Sequence, residues 1–118
     1  MAVMLSTAPA LAQIAPPAAE PPDGATLFRR QCAACHALQA SAPPRQGPHL
    51  QGVMGRKAGS VEGFKYSANY ASAAFDWTPE TLDPYLTNPQ AVIAGSNMAY
   101  RQANAATRRT IIEYLKEQ

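Results

Sequence analysis

Cys32, Ala33, Ala34, Cys35 and His36 form a C-x-x-C-H run, and no other stretch of the 118 residues restricts the chain as much. Two thiols three positions apart on a helical turn can each add to one vinyl group of a haem, giving two thioether bonds. The imidazole that follows then lies under the iron as a proximal axial ligand. Other readings of the motif fit less well. A dithiol redox pair requires a strand feeding the motif within a βαβ unit, whereas residues 24–35 read as helix. A structural zinc site requires four ligands, and the chain holds only two Cys and two His, with His36 adjoining Cys35. The expected cofactor is therefore one covalently bound haem c. His49 reads as a loop residue.

A haem also answers a problem of core size. The first 22 residues contain five of the eleven prolines and no periodic pattern, so folding is expected to begin near Asp23. From there to the C-terminus only 23 side chains are large and apolar, and much of the 47% hydrophobic content is alanine. A domain this small buries proportionally little surface. A flat apolar macrocycle would complete the core, and the unloaded polypeptide is expected to fold poorly.

The N-terminal region reads as a lead. Residues 1–12 are apolar and end in Ala10-Leu11-Ala12, an A-x-A pattern typical of a signal-peptidase site, though no Lys or Arg precedes Arg29. Residues 1–12 are thus expected to be a truncated signal-peptide remnant, 13–22 a Pro/Ala-rich linker, and 23–118 the folded domain. The apolar run is too short to span a bilayer. An exported, periplasmic location follows, with tethering by the N-terminal segment as the alternative.

Helices are expected near both ends of the domain, with loops between them. Asp23 is a suitable N-cap for a helix over 24–35. Between Ala42 and Gly63, three prolines and five glycines indicate a wrapping loop region rather than a sheet. Thr78, Pro79 and Glu80 form a start signal for a helix that presents Leu82, Tyr85 and Leu86 on one face before Asn88 and Pro89 stop it. A last helix over 104–117 carries Ile111, Ile112, Tyr114 and Leu115 and should cross the first near Gly24 and Phe28. For a sixth iron ligand the residues leave His49, Met54 and Met98. Met98 is favoured because it follows the flexible Gly95-Ser96-Asn97.

From Gly24 onward the chain resembles the class I cytochromes c of the mitochondrial and bacterial c2 type. The resemblance rests on CAACH at 32–36, GPHL at 47–50, GVMGRKAGS at 52–60, GFKYS at 63–67, Trp77, ETLDPYLTNP at 80–89 and AGSNMAY at 94–100. The 62 residues between His36 and Met98 match the family's spacing. The resemblance implies an all-α fold of few short helices and long loops wrapped around one haem. It also implies His36 and Met98 as the axial pair and Pro48 as carbonyl acceptor for the other His36 nitrogen. Tyr66 and Trp77 would donate to a buried propionate, with Arg56 near it, Tyr85 near the Met98 sulfur and Ser96 close to the propionate edge.

The function so implied is single-electron transfer between larger redox complexes of a respiratory or photosynthetic chain, with no enzymatic activity. The expected partners are a cytochrome bc1-type donor and an oxidase or reaction-centre acceptor, met by a monomer that binds no nucleic acid. Two alternatives are a tethered cytochrome subunit of one dehydrogenase or oxidase, and a haem sensor or peroxidase from which Met98 dissociates. The chain departs from its relatives in having Tyr70 where a buried Asn or Met is common, Ala94 where a proline is usual, and only three lysines. With a formal charge of +2 before two propionates are added, the loaded protein should carry about +1 when ferric and about zero when ferrous.

Overall fold

Asp23 starts the first helix as its sequence context requires: its backbone is extended and its carboxylate accepts the Thr26 N–H at 2.8 Å. In the computed structural model of the chain, which describes residues 4–5, 7–8, 20–67 and 69–118, this helix, α1, spans Gly24–Gln31. It ends earlier than the expected 35 because Cys32 leaves the helical region (φ −120°). A tight turn takes over, with the Cys35 and His36 N–H groups both donating to the Cys32 carbonyl, at 3.0 and 2.9 Å. The motif therefore lies on a turn at the end of α1, not within the helix.

The second helix, α2, spans Pro79–Thr87. Thr78 and Thr81 cap it reciprocally: Thr81 N–H donates to Thr78 Oγ1 at 3.2 Å and Thr78 N–H to Thr81 Oγ1 at 2.8 Å. Threonine fills the role that Glu or Gln usually plays in such a box. Leu82, Tyr85 and Leu86 are buried, as their spacing predicts. Pro89 does not simply stop the chain. It opens a third, four-residue helix, α3 (Pro89–Val92), because a proline fits the first helical position, where no N–H partner is needed.

The last helix, α4, spans Ala105–Leu115 behind an Asn104 cap that accepts Thr107 N–H at 3.0 Å. It packs on α1 where Gly24 meets Tyr114: a Cβ on Gly24 would lie 2.4 Å from Tyr114 Cβ, so only glycine permits this approach. The Phe28 and Tyr114 rings sit 6.0 Å apart beside it. Ile111 is wholly buried, with Leu27, Phe28, Ile112 and Leu115 nearly so. Each such side chain contributes about 1.5–3 kcal/mol relative to exposure.

The long middle section holds no strand among the described residues, only an isolated bridge between Lys57 and Asp76. Its backbone is nonetheless cross-braced. Gly55 N–H donates to Trp77 O at 2.6 Å, Trp77 N–H to Arg56 O at 2.8 Å, and Ala58 N–H to Phe75 O at 3.0 Å. These rungs place Arg56 and Trp77 side by side. No helix among the described residues is long and apolar enough to cross a membrane. The expected leader and linker fall mostly outside the described residues.

Candidate functional site

A cavity of about 340 Å³ opens between the C-x-x-C-H turn and the segment carrying Met98. Its size falls within the roughly 300–1,000 Å³ usual for cofactor pockets. Cys32, Cys35 and His36 form one wall; Asn97, Met98 and Ala99 lie on it from a segment 62 residues beyond His36. Leu82, Tyr85 and Leu86 of α2 and Ile111 and Leu115 of α4 supply apolar lining. Arg56, Tyr66, Ser67, Tyr70 and Trp77 bring polar atoms from the middle loops. Of the three candidates for a sixth ligand, only Met98 lines the cavity; Met54 packs against the core and His49 is absent from the lining.

His36 is fixed chemically as well as sterically. Its Nδ1 lies 2.7 Å from the Pro48 carbonyl, which can only accept, so Nδ1 must carry the proton. Nε2 is left with a free lone pair, the form in which imidazole binds a metal. Burial lowers the His36 pKa, which further favours the neutral ring. Gly47 lies against the ring face: a Cβ there would be 2.3 Å from His36 Cε1 and 2.7 Å from Nδ1. Burial also pushes Cys32 up to about 11, so its thiol is protonated at neutral pH. Neither cysteine is paired in a disulfide, so both are open to thioether formation.

The polar wall matches an anionic group. Arg56 gives two of its five donors to main-chain carbonyls, of Gln51 at 3.2 Å and His49 at 3.0 Å, and no Asp or Glu lines the cavity to neutralise it. The Tyr66 oxygen accepts Val61 N–H at 2.9 Å, which leaves the phenolic proton free to donate. Three buried side-chain atoms lack a partner among the described residues: His49 Nδ1, Ser67 Oγ and Asn88 Oδ1. Only Ser67 belongs to the cavity wall. An orphaned hydroxyl and a guanidinium without a carboxylate partner, both on this cavity's wall, are what a carboxylate-bearing ligand would satisfy. Two thiols, an imidazole, a thioether, an apolar slot and anion donors together fit haem.

Three further hydroxyls are linked to the segment that carries Met98. Tyr70 Oη is hydrogen-bonded to Tyr85 Oη and, at 2.6 Å, to Ser96 Oγ. Ser96 Oγ in turn accepts Met98 N–H at 3.3 Å. One orientation satisfies the chain best: Ser96 donates to Tyr70, and Tyr70 donates to Tyr85. The reverse would strand the proton of Ser96, which is 3% exposed, at about 1–3 kcal/mol. The proton left over belongs to Tyr85, which faces the cavity.

Nine of the ten residues singled out from sequence line this one cavity: Cys32, Cys35, His36, Pro48, Arg56, Tyr66, Trp77, Tyr85 and Met98. Ser96 does not. Its hydroxyl is turned into the core toward Tyr70, so its contact is with the Met98 segment rather than with the cavity edge. Sequence reasoning missed Ser67, although its place directly after Tyr66 in GFKYS, next to a residue already assigned a donor role, was a usable signal. Gly47 and Tyr70, to which the sequence assigns no role at the site, also line the cavity.

The fold and site define an all-α protein built around one covalently attached haem. The family model for cytochrome c matches residues 22–118. Cytochrome c of Ginkgo biloba is 36% identical over 102 residues, 86% of this chain and 90% of the relative. That of Ulva intestinalis is 39% identical over the same length, with 92% of the relative covered. A bacterial relative, the cytochrome c-type cyt cy of Rhodobacter capsulatus, is 42% identical over 93 residues, which make up 78% of this chain but 46% of that protein. The chain belongs to the cytochrome c family, in its class I branch. It is a monohaem electron carrier that holds haem c covalently through the C-x-x-C-H motif at Cys32, Cys35 and His36.

Proposed function

We infer that this cytochrome passes single electrons from a cytochrome bc1-type donor to an oxidase or reaction-centre acceptor, with iron held between His36 and Met98. When bound, haem supplies the one-electron Fe(III)/Fe(II) couple. The observation that carries the ligand assignment is that, among the described residues, His36 and Met98 are the only imidazole and the only thioether lining the cavity. His36 binds through Nε2 while Pro48 fixes the ring and raises its basicity. Met98 favours the ferrous state and raises the potential. Arg56, Tyr66, Trp77 and Ser67 hold the propionates, and Tyr85 directs its remaining proton toward the Met98 side.

With His36 and Met98 both holding the iron, no site would be left open for a substrate, and the chain would act as a carrier rather than an enzyme. It works as a monomer in the periplasm. The relation to a bacterial c-type cytochrome and the A-x-A pattern at Ala10–Ala12 support export. A second reading, a tethered subunit, draws on the cyt cy relative, of which the matched region is less than half. Intact mass and membrane fractionation from the native source separate the two: a soluble chain starting at Gln13 supports the shuttle, and a membrane-bound chain retaining 1–12 supports the subunit.

The ligand assignment is tested with Met98→Ala. The variant should lose the weak far-red sulfur-to-ferric-iron band, fall in potential and bind cyanide freely, whereas Met54→Leu should match wild type. The opposite pattern would overturn it by moving the ligand to Met54, and a wild-type ferric protein without the band would overturn it in favour of the sensor or peroxidase reading.

A further inference from the structure

The segment that carries Met98 has little main-chain support of its own. Across residues 94–98 the one backbone–backbone hydrogen bond is Ser96 N–H to Ile93 O at 3.1 Å. Gly95 has a positive φ (80°), and no proline lies between Pro89 and the C-terminus to restrict the backbone. Yet a ligand that must stay on iron needs its backbone held within a fraction of an ångström.

Two consecutive residues from a distant loop supply the missing support. Asn69 is the only non-glycine residue with positive φ (76°) among the described residues, a conformation in which Asn is tolerated better than most. Its Nδ2 donates to the Ala94 carbonyl at 2.6 Å. Tyr70, next in the chain, points inward and reaches Ser96 Oγ at 2.6 Å, one step from the Met98 N–H. The left-handed turn at 69 thus sends one side chain along the surface and the next into the core. Both close on the same five-residue segment, at its first and third positions.

We propose that Asn69 and Tyr70 are positioning residues that latch the Met98 segment and set how often Met98 leaves the iron. The proposal rests on Met98 being the sixth ligand. Neither residue touches the iron; each acts through Ala94 or Ser96. Breaking one such hydrogen bond should raise the open population by about 2- to 13-fold, the range spanned by a net bond of roughly 0.5–1.5 kcal/mol.

The test uses ferric holoprotein at neutral pH and subsaturating cyanide, where the second-order binding rate is proportional to the population with the sixth ligand off. Asn69→Gly keeps the positive φ and deletes the amide; Tyr70→Phe keeps the ring and deletes the hydroxyl. Each should raise the rate within that 2- to 13-fold range. Hydrogen exchange at the Ser96 and Met98 amides should accelerate in step, while the Ile111 and Ile112 amides of α4 stay at their wild-type rates. Rates within twofold of wild type in both variants would overturn the latch. So would equal acceleration at α4, which would mark a general loss of stability. A wild-type protein that lacks the far-red band refutes Met98 ligation itself, and the latch with it.

Discussion

Replacing Gly47 with alanine should damage the proximal side of the haem more than any other single added methyl near it. The new Cβ would stand 2.3 Å from His36 Cε1, 2.7 Å from Nδ1 and 2.9 Å from Nε2, so it meets the whole ring face. Ordinary contact begins near 3.4 Å, so the ring or loop must give by about 1.1 Å. The ring is held by the 2.7 Å bond to Pro48 and, in the loaded protein, by the iron, so it cannot yield without weakening one of them. Overpacking of this kind costs typically about 1–3 kcal/mol, and a lost hydrogen bond about 0.5–1.5 kcal/mol more. The sum is a destabilisation of about 1.5–4.5 kcal/mol. For a domain of this size that lowers Tm by roughly 6–36 °C. Thermal unfolding of the ferric holoprotein, followed by Soret absorbance and far-UV circular dichroism, measures it. A Gly47→Ala protein that loads haem normally and melts within about 3 °C of wild type would refute the reasoning, because the loop would then yield freely and the Pro48 bond would not be orienting the imidazole.

Cys35→Ala should leave a single thioether and lower the yield of folded holoprotein, whereas wild type should retain its pigment through acid-acetone extraction and carry the mass of one haem; mass spectrometry of the extracted chain decides. Around the cavity mouth the exposed residues are neutral, Asn97, Ala99 and Gln46 among them. The second-order rate of electron transfer to the native partner should therefore fall by less than about tenfold from low salt to the physiological range, where the Debye length is roughly 8 Å. Stopped-flow kinetics across an ionic-strength series measures this, and a steep fall would reveal a basic docking patch assembled in three dimensions.

What the sequence made legible was chemistry carried by neighbours in the chain. The Asp23 and Thr78 caps and Pro79 at the start of α2 are local signals, and each took its expected place, while C-x-x-C-H announced its chemistry but lies on a turn just past α1. The crossing of α1 and α4 at Gly24 was readable because a glycine facing an apolar stripe suggests close approach. Pro89 was misread because the same residue that ends one helix can begin another. The end of α1 was placed too late because nothing in the residue types at 32–35 marks the change from helix to turn. The hydroxyl group around Tyr70 was hidden for a different reason: its contacts join residues 15 and 26 positions apart, and Asn69 meets Ala94 across 25. No periodicity encodes such pairs. The resemblance to class I cytochromes c located Met98 and the donor residues, but it could not place contacts made by residues in which this chain differs.

The orientation of the three hydroxyls also determines what accompanies an electron. Along the cavity wall, Arg56 remains a cation, no carboxylate is present, and His36 commits its Nδ1 proton to Pro48. Burial pushes the Tyr85 phenol well above its ordinary range, so it stays neutral throughout physiological pH. None of these wall residues is poised to take up or release a proton when the iron changes charge. From these side chains no proton would accompany the electron, and any pH dependence of the potential would come from the haem's own propionates.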